Sequence, residues 1–187
     1  PGLLCVQAVA CHALGEVSQR DKACTKLLGW RGRAESHAED ELLFGRAGYL
    51  YCLLWVRRHI GPEAFDPMQA LAGVANRIIE SGRQQAARHN ARSRGYEHTG
   101  SDAGWPLLFS CFGEPYLGAA HGTIGILTML FHVAALGGLD EAALAIVDAT
   151  LHRLLAARTP DGNLPTVLGR GRDGLVHWCH GAPGFIG

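Results

Sequence analysis

The chain has 187 residues, of which 48% are hydrophobic and 18% are charged. This balance excludes an intrinsically disordered chain and suits one domain with a sizeable core. Seventeen Lys and Arg residues balance seventeen Asp and Glu residues, so the charge favours neither nucleic acid nor an anionic membrane surface as a partner.

The six cysteines are too sparse for a disulfide scaffold, and none forms a CxxC pair. No run reaches the roughly 18 consecutive apolar residues that span a bilayer. We therefore predict a reducing, cytoplasmic location, with peripheral membrane association left open.

Helical periodicity dominates the chain. The pattern predicts helices over 42–60, 68–79, 124–136 and 141–157. The third helix is apolar nearly all round and should be buried. The fourth should turn five side chains inward: Leu144, Val147, Leu151, Leu154 and Leu155. Residues 84–115 hold several Gly and Pro with little periodicity and are predicted to be a loop.

A G-x-x-G unit occurs three times, at 45–48, 122–125 and 181–184, with starts 77 and 59 residues apart. Apolar helices follow the first two units. This pattern predicts stacked helical repeats that share one core. Tight helix packing alone is the competing explanation, because a G-x-x-G spacing is not specific by itself.

Two residues stand immediately or almost immediately before glycines of this repeat. They are His121, in the segment Gly118 to Gly122, and Cys179, in the segment His177 to Gly184. Equivalent positions in a closed ring would aim both toward one centre. One cysteine cannot hold zinc, which needs about three protein ligands at a catalytic site. The other histidines and cysteines, including Cys111, are interpreted as structural or core residues.

Four segments in this order resemble the LanC-like family, the eukaryotic relatives of bacterial lanthionine cyclases. They are LLFGRAGYL at 42–50, GAAHGTIG at 118–125, DGNLP at 161–165 and LVHWCHGAPG at 175–184. The last segment is highly specific. The resemblance implies that residues 1–187 are part of a single α/α toroid domain, all-α, of seven helical hairpins, truncated at its C-terminus.

The resemblance also implies a zinc ion in the bowl of the toroid. Cys179 matches the family's first zinc ligand, and the remaining ligands are expected beyond Gly187. His121 matches the family's active-site histidine, a candidate acid or base, whereas His180 is not predicted to be a ligand. The Arg and Tyr that accompany this cysteine in bacterial cyclases are replaced by Leu175 and His180, which argues against bacterial-type ring closure.

The implied function is a zinc-dependent transferase that adds the thiol of glutathione to dehydroalanine or dehydrobutyrine residues in peptides or proteins. The alternative is a non-catalytic zinc- or glutathione-binding protein that serves signalling or scaffolding. A carbohydrate-acting toroid would need two carboxylates about 5–9 Å apart across the bowl. Asp102 and Asp161 are conceivable for that role, on fold analogy alone.

Overall fold

The computed structural model describes residues 1–93, 104–170 and 174–185. This part of the chain is helical, and it contains two isolated β-bridges but no strand. The predicted all-α class is therefore confirmed. The α-helices are α1 (Gly2–Ala13), α2 (Val17–Leu28), α3 (Arg31–Glu35), α4 (Arg46–Ile60), α5 (Met68–Ser93), α6 (Thr123–Ala135) and α7 (Glu141–Leu155), and a short 3-10 helix covers Ala182–Phe185.

Helix α6 lies at the centre of this part of the fold, where it contacts α4, α5 and α7. It buries residues on every side, as its apolar sequence predicts. Helices α1 and α2 pack together, and α1 also contacts α4. The core between α4, α5 and α6 is built from fully buried aliphatic side chains: Leu50, Leu53, Leu71, Ile78, Ile126 and Leu130.

The prediction of a loop from residue 84 was wrong, because α5 continues to Ser93. The polar run on this stretch is the solvated outer face of the helix. Its inner face packs Gly82 so closely on the Phe109 ring that a Cβ there would lie 2.7 Å from the ring. Farther along, the Asn90 side chain donates to the carbonyl of Trp105 and accepts from its N–H, both at 3.0 Å. These tertiary contacts extend a helix whose sequence alone has weak periodicity.

The predicted inner face of α7 is confirmed at Val147 and Leu154, which are fully buried, and was wrong at Leu144, which is 40% exposed. The buried stripe also passes through Ala143 and Thr150. The buried Thr150 hydroxyl has a hydrogen-bond partner, because it donates to the Ile146 carbonyl at 2.7 Å. A polar residue thus lies on the buried face, for which the sequence pattern predicted only hydrophobic side chains.

Within the described ranges, no helix is both long enough and apolar enough to cross a membrane.

Candidate functional site

Three turns of the same design converge beside α6. We name them the first glycine turn (39–48), the second (116–125) and the third (175–184). In the first two, the first two residues of the following helix donate backbone N–H bonds to carbonyls seven residues earlier. These bonds are Arg46 to Glu39 (3.0 Å), Ala47 to Asp40 (3.1 Å), Thr123 to Tyr116 (3.1 Å) and Ile124 to Leu117 (3.1 Å).

The last glycine of each unit has a steric role. A Cβ on Gly48, Gly125 or Gly184 would lie within 3.0 Å of the backbone carbonyl oxygen six residues earlier. No side chain fits at such a distance, so each turn closes only around glycine. The G-x-x-G repeat of the sequence is therefore a repeat of backbone geometry.

This geometry makes three side chains equivalent: each immediately precedes the first glycine of its unit. They are Phe44, His121 and His180. The ring centroids of Phe44 and His121 are 6.1 Å apart, and those of His121 and His180 are 6.5 Å apart. Tyr116 lies 6.0 Å from His121 and 5.9 Å from His180. His121 is thus the middle member of an aromatic cluster formed by all three turns.

A carboxylate orients His121. The ring Nδ1 lies 2.7 Å from Oε2 of Glu41, whose side chain is only 2% exposed. Glu41 is itself held by its own turn, because the N–H of Leu43 donates to Oε2 at 3.1 Å and the N–H of Phe44 donates to Oε1. Because Nδ1 faces Glu41, Nε2 is the ring nitrogen that can exchange a proton with a ligand.

A buried ion pair lies in the same turn as Glu41. Arg46 Nη1 donates to Asp40 Oδ1 at 2.5 Å, and Ser81 Oγ donates to Asp40 Oδ2 at 2.6 Å. Burial raises the pKa of Asp40, and its hydrogen bonds to Ser81 and Arg46 oppose that shift. The Ser81 hydrogen bond ties the first glycine turn to α5, and the ion pair closes the turn that carries Glu41.

A thiol adjoins the Glu41–His121 pair. The Sγ of Cys111, a carboxylate oxygen of Glu41 and a ring nitrogen of His121 all lie within 4.8 Å of one another. Cys111 is buried, and burial together with the nearby Glu39 and Glu41 carboxylates raises its pKa to about 11. Sulfur, nitrogen and carboxylate oxygen are all ligands of transition metals, so this donor set is compatible with a metal ion.

The third glycine turn brings Cys179 against the second. The Ala120 N–H donates to the Cys179 carbonyl at 3.4 Å, and a Cβ on Gly118 would collide with that same carbonyl. Asn163 holds the turn, because its Nδ2 donates to the Leu175 carbonyl at 2.9 Å and its Oδ1 accepts from the Ala182 N–H at 2.8 Å. Among the described residues, no group of three metal donors includes Cys179. Its role as a zinc ligand stays a prediction.

Sequence reasoning missed Glu41 and did not foresee the neighbours of Cys111. Glu41 had a signal, since it is an acidic residue directly before the apolar start of a family-like segment. Cys111 was interpreted as an ordinary core cysteine. It is buried as expected, but beside a carboxylate and an imidazole that lie 70 and 10 residues away in the sequence.

The two carboxylates considered for a glycosidase are Asp102 and Asp161. Asp102 lies outside the described residues. Asp161 accepts a hydrogen bond from the Thr159 hydroxyl in the turn that follows α7.

The fold and the site define a helical repeat protein with converging glycine turns and a metal-compatible donor set. The family model described as "Lanthionine synthetase C-like protein" matches residues 1–186, and the chain belongs to this family. It is 32% identical over 188 residues to the zebrafish (Danio rerio) protein named "Glutathione S-transferase LANCL1", covering 99% of this chain and 44% of that protein. It is also 32% identical over 194 residues to "LanC-like protein GCL1" of Arabidopsis thaliana, covering 98% of this chain and 41% of that protein. The chain thus spans less than half the length of both relatives.

Proposed function

We propose that this chain carries part of the active site of an enzyme that adds glutathione to dehydroalanine or dehydrobutyrine residues of proteins. One observation carries the proposal: His121 is presented by the second glycine turn and oriented at 2.7 Å by the buried Glu41. The name of the zebrafish relative, a glutathione S-transferase, supports glutathione as the thiol. In this proposal residues 1–187 form part of a single toroid domain.

The proposed cofactor is zinc. Cys179 would hold it, together with ligands from outside residues 1–187. A thiolate is a suitable ligand for zinc, and Cys179 lies in the turn that also presents His180 to the aromatic cluster. When bound, zinc would keep the incoming thiol deprotonated near neutral pH.

His121 is the proposed proton donor. The thiolate sulfur forms a bond to the β-carbon of the dehydroamino acid, and the electron pair of the alkene moves to the α-carbon and its carbonyl as an enolate. A proton from His121 Nε2 then goes to the α-carbon, so the addition is complete without a leaving group. His121 regains its proton from solvent, which reaches it because the side chain is 21% exposed.

Glu41 is the proposed positioning residue. Two backbone N–H groups and the imidazole fix its carboxylate, so the imidazole ring cannot rotate without losing a buried hydrogen bond. This restraint holds Nε2 in a fixed direction. A general acid gains most from such fixed placement.

The test uses the complete protein that contains this chain. Glutathione addition to a dehydroalanine peptide is followed by mass spectrometry for the wild type and for His121→Gln. We expect the variant to be slower by roughly 10²–10⁴-fold, the usual range for general acid catalysis. His132→Gln is the matched control, because that histidine is exposed on α6, away from the aromatic cluster, and should leave the rate unchanged.

Two outcomes would overturn the proposal. Equal rates for His121→Gln and the wild type would remove His121 from proton transfer. No thiol addition by the wild type would leave the non-catalytic zinc- or glutathione-binding protein as the better description.

A further inference from the structure

The cluster of Glu41, Cys111 and His121 is assembled from three separate segments. Glu41 lies in the first glycine turn, Cys111 in the bridge region that pairs it with Glu114, and His121 in the second glycine turn. Their donor atoms lie within 4.8 Å of one another. Because no two of the three are close neighbours in one helix, the fold itself creates this proximity.

The donor set suits a transition metal. Zinc binds thiolate at about 2.3 Å and imidazole or carboxylate at about 2.0–2.2 Å, so tetrahedral donors lie roughly 3.3–3.8 Å apart. Donor atoms that now lie up to 4.8 Å apart would reach these separations with movements of about 1 Å. Glu41 and Cys111 are buried, whereas the partly exposed His121 leaves a side from which an ion and a water ligand can enter.

The charges around the thiol favour a cation. Both Glu39 and Glu41 act electrostatically on Cys111. Among the described residues, neither Lys nor Arg forms an ion pair with Glu41, and its partner is His121. A divalent cation would neutralise this group of acids. On binding, the Cys111 S–H bond would give a sulfur–metal bond and release one proton to solvent, with no change of oxidation state.

We propose that Glu41, Cys111 and His121 form a binding site for a divalent transition metal of the zinc class that does not use Cys179. The site has three protein donors and an open fourth position. It is weaker than a fully preorganised zinc site, because the donors must first rearrange around the ion. One consequence rests on the proposed function: a metal held by Glu41 and His121 engages the proposed proton donor and its positioning carboxylate, so excess zinc inhibits thiol addition.

Cobalt titration of the 187-residue chain tests the site directly. Co²⁺ bound to a thiolate gives a sulfur-to-metal charge-transfer band in the near ultraviolet. We expect this band, at one equivalent per chain, in the wild type and in Cys179→Ser. It should be lost in Cys111→Ser and Cys111→Ala, with helical circular dichroism spectra that show both variants are folded. Cys24→Ser, a buried cysteine of α2, is the matched control and should keep the band.

The other two donors are tested by zinc calorimetry. Glu41→Gln and His121→Ala should each weaken zinc binding at least about tenfold relative to the wild type, since each removes one ligand. The proposal is overturned by a cobalt band that survives Cys111→Ser, by a band that disappears in Cys179→Ser, by the absence of any band, or by unchanged zinc affinity in both of these variants.

Inhibition is measured in the complete protein, with each variant compared with its own rate at low zinc. Cys111→Ser should raise the inhibitory zinc concentration at least about tenfold. Equal inhibition of the wild type and the variant would reject the link to His121. A complete protein that adds no thiol would instead reject the proposed function, while the cobalt titration would still decide the metal site.

Discussion

At the scale of single residues, the proposed function assigns proton transfer and the tightly held zinc to different side chains. His121 and Cys179 lie in different glycine turns, and the structure brings His180 rather than Cys179 to the position equivalent to His121. The ring contacts of His121 are with Phe44, Tyr116, Phe112 and His180. An aromatic setting with one carboxylate suits a proton donor, whereas the proposed zinc requires a thiolate such as Cys179.

This division predicts different metal contents for two variants of the complete protein. Cys179→Ala should lose the tightly held zinc, because it removes a thiolate ligand. His121→Ala should retain it. Zinc is measured by elemental analysis after dialysis against a mild chelator, which removes weakly held ions. Loss of tightly held zinc in both variants would show that His121 is a ligand of the same site.

A second residue-scale prediction concerns the buried Asp40–Arg46 pair. Arg46→Met should lower the free energy of unfolding by about 3–5 kcal/mol, because it leaves a buried carboxylate without its cation. The exposed Arg170–Glu114 pair is the matched control, and Arg170→Met should cost less than about 1 kcal/mol. Denaturant unfolding measures both. Similar losses would show that Asp40 is stabilised by Ser81 and solvent rather than by Arg46.

At the scale of elements, the glycine turns determine which side chains meet. Each turn needs a glycine at its end, where a Cβ would collide with the carbonyl six residues earlier. The turn then places the residue before its first glycine in the aromatic cluster. The repeat therefore fixes the position of a side chain but leaves its identity free, which is why the same position holds Phe44, His121 and His180.

The turn geometry predicts the cost of one added methyl group. Gly125→Ala should lower the free energy of unfolding by at least about 2–3 kcal/mol, since its Cβ would meet the Ala119 carbonyl oxygen. Gly32→Ala is the control: it lies in α3 with open space around the Cβ position, so it should be neutral or gain up to about 1 kcal/mol. Thermal melting of both variants measures the difference, and equal melting temperatures would contradict the steric role.

Much of the helical framework could be predicted from sequence because periodicity is a local signal. The predicted burial of α6 is confirmed, and α4 begins at Arg46, four residues after its predicted start. The second half of α5 could not be predicted, because its support comes from Phe109 and Trp105 in a distant segment. For the same reason the register of the glycine units pointed to His121, but nothing local connected it with Glu41 and Cys111.

At the scale of the whole molecule, acidic groups buried across the fold couple its stability to alkaline pH. Burial is the first cause of the raised pKa of Cys24, Tyr49 and Cys111, which lie in α2, in α4 and beside the site. The Tyr49 hydroxyl also donates to the Leu27 carbonyl at 2.9 Å, so its ionisation would break a bond between α4 and α2. The folded state therefore holds protons that the unfolded chain releases.

The sign of the effect follows from this difference in bound protons. For Cys111 the folded pKa is about 11 against an ordinary value of 9.0, so its contribution to stability is complete below pH 9 and is lost as pH rises through 11. At pH 10 this loss is on the order of 1 kcal/mol from Cys111 alone. We expect the free energy of unfolding, measured by guanidinium titration, to fall between pH 8 and pH 10.5, and to fall less in Cys111→Ser. A wild-type free energy that stays constant over this range would contradict the burial of these acids.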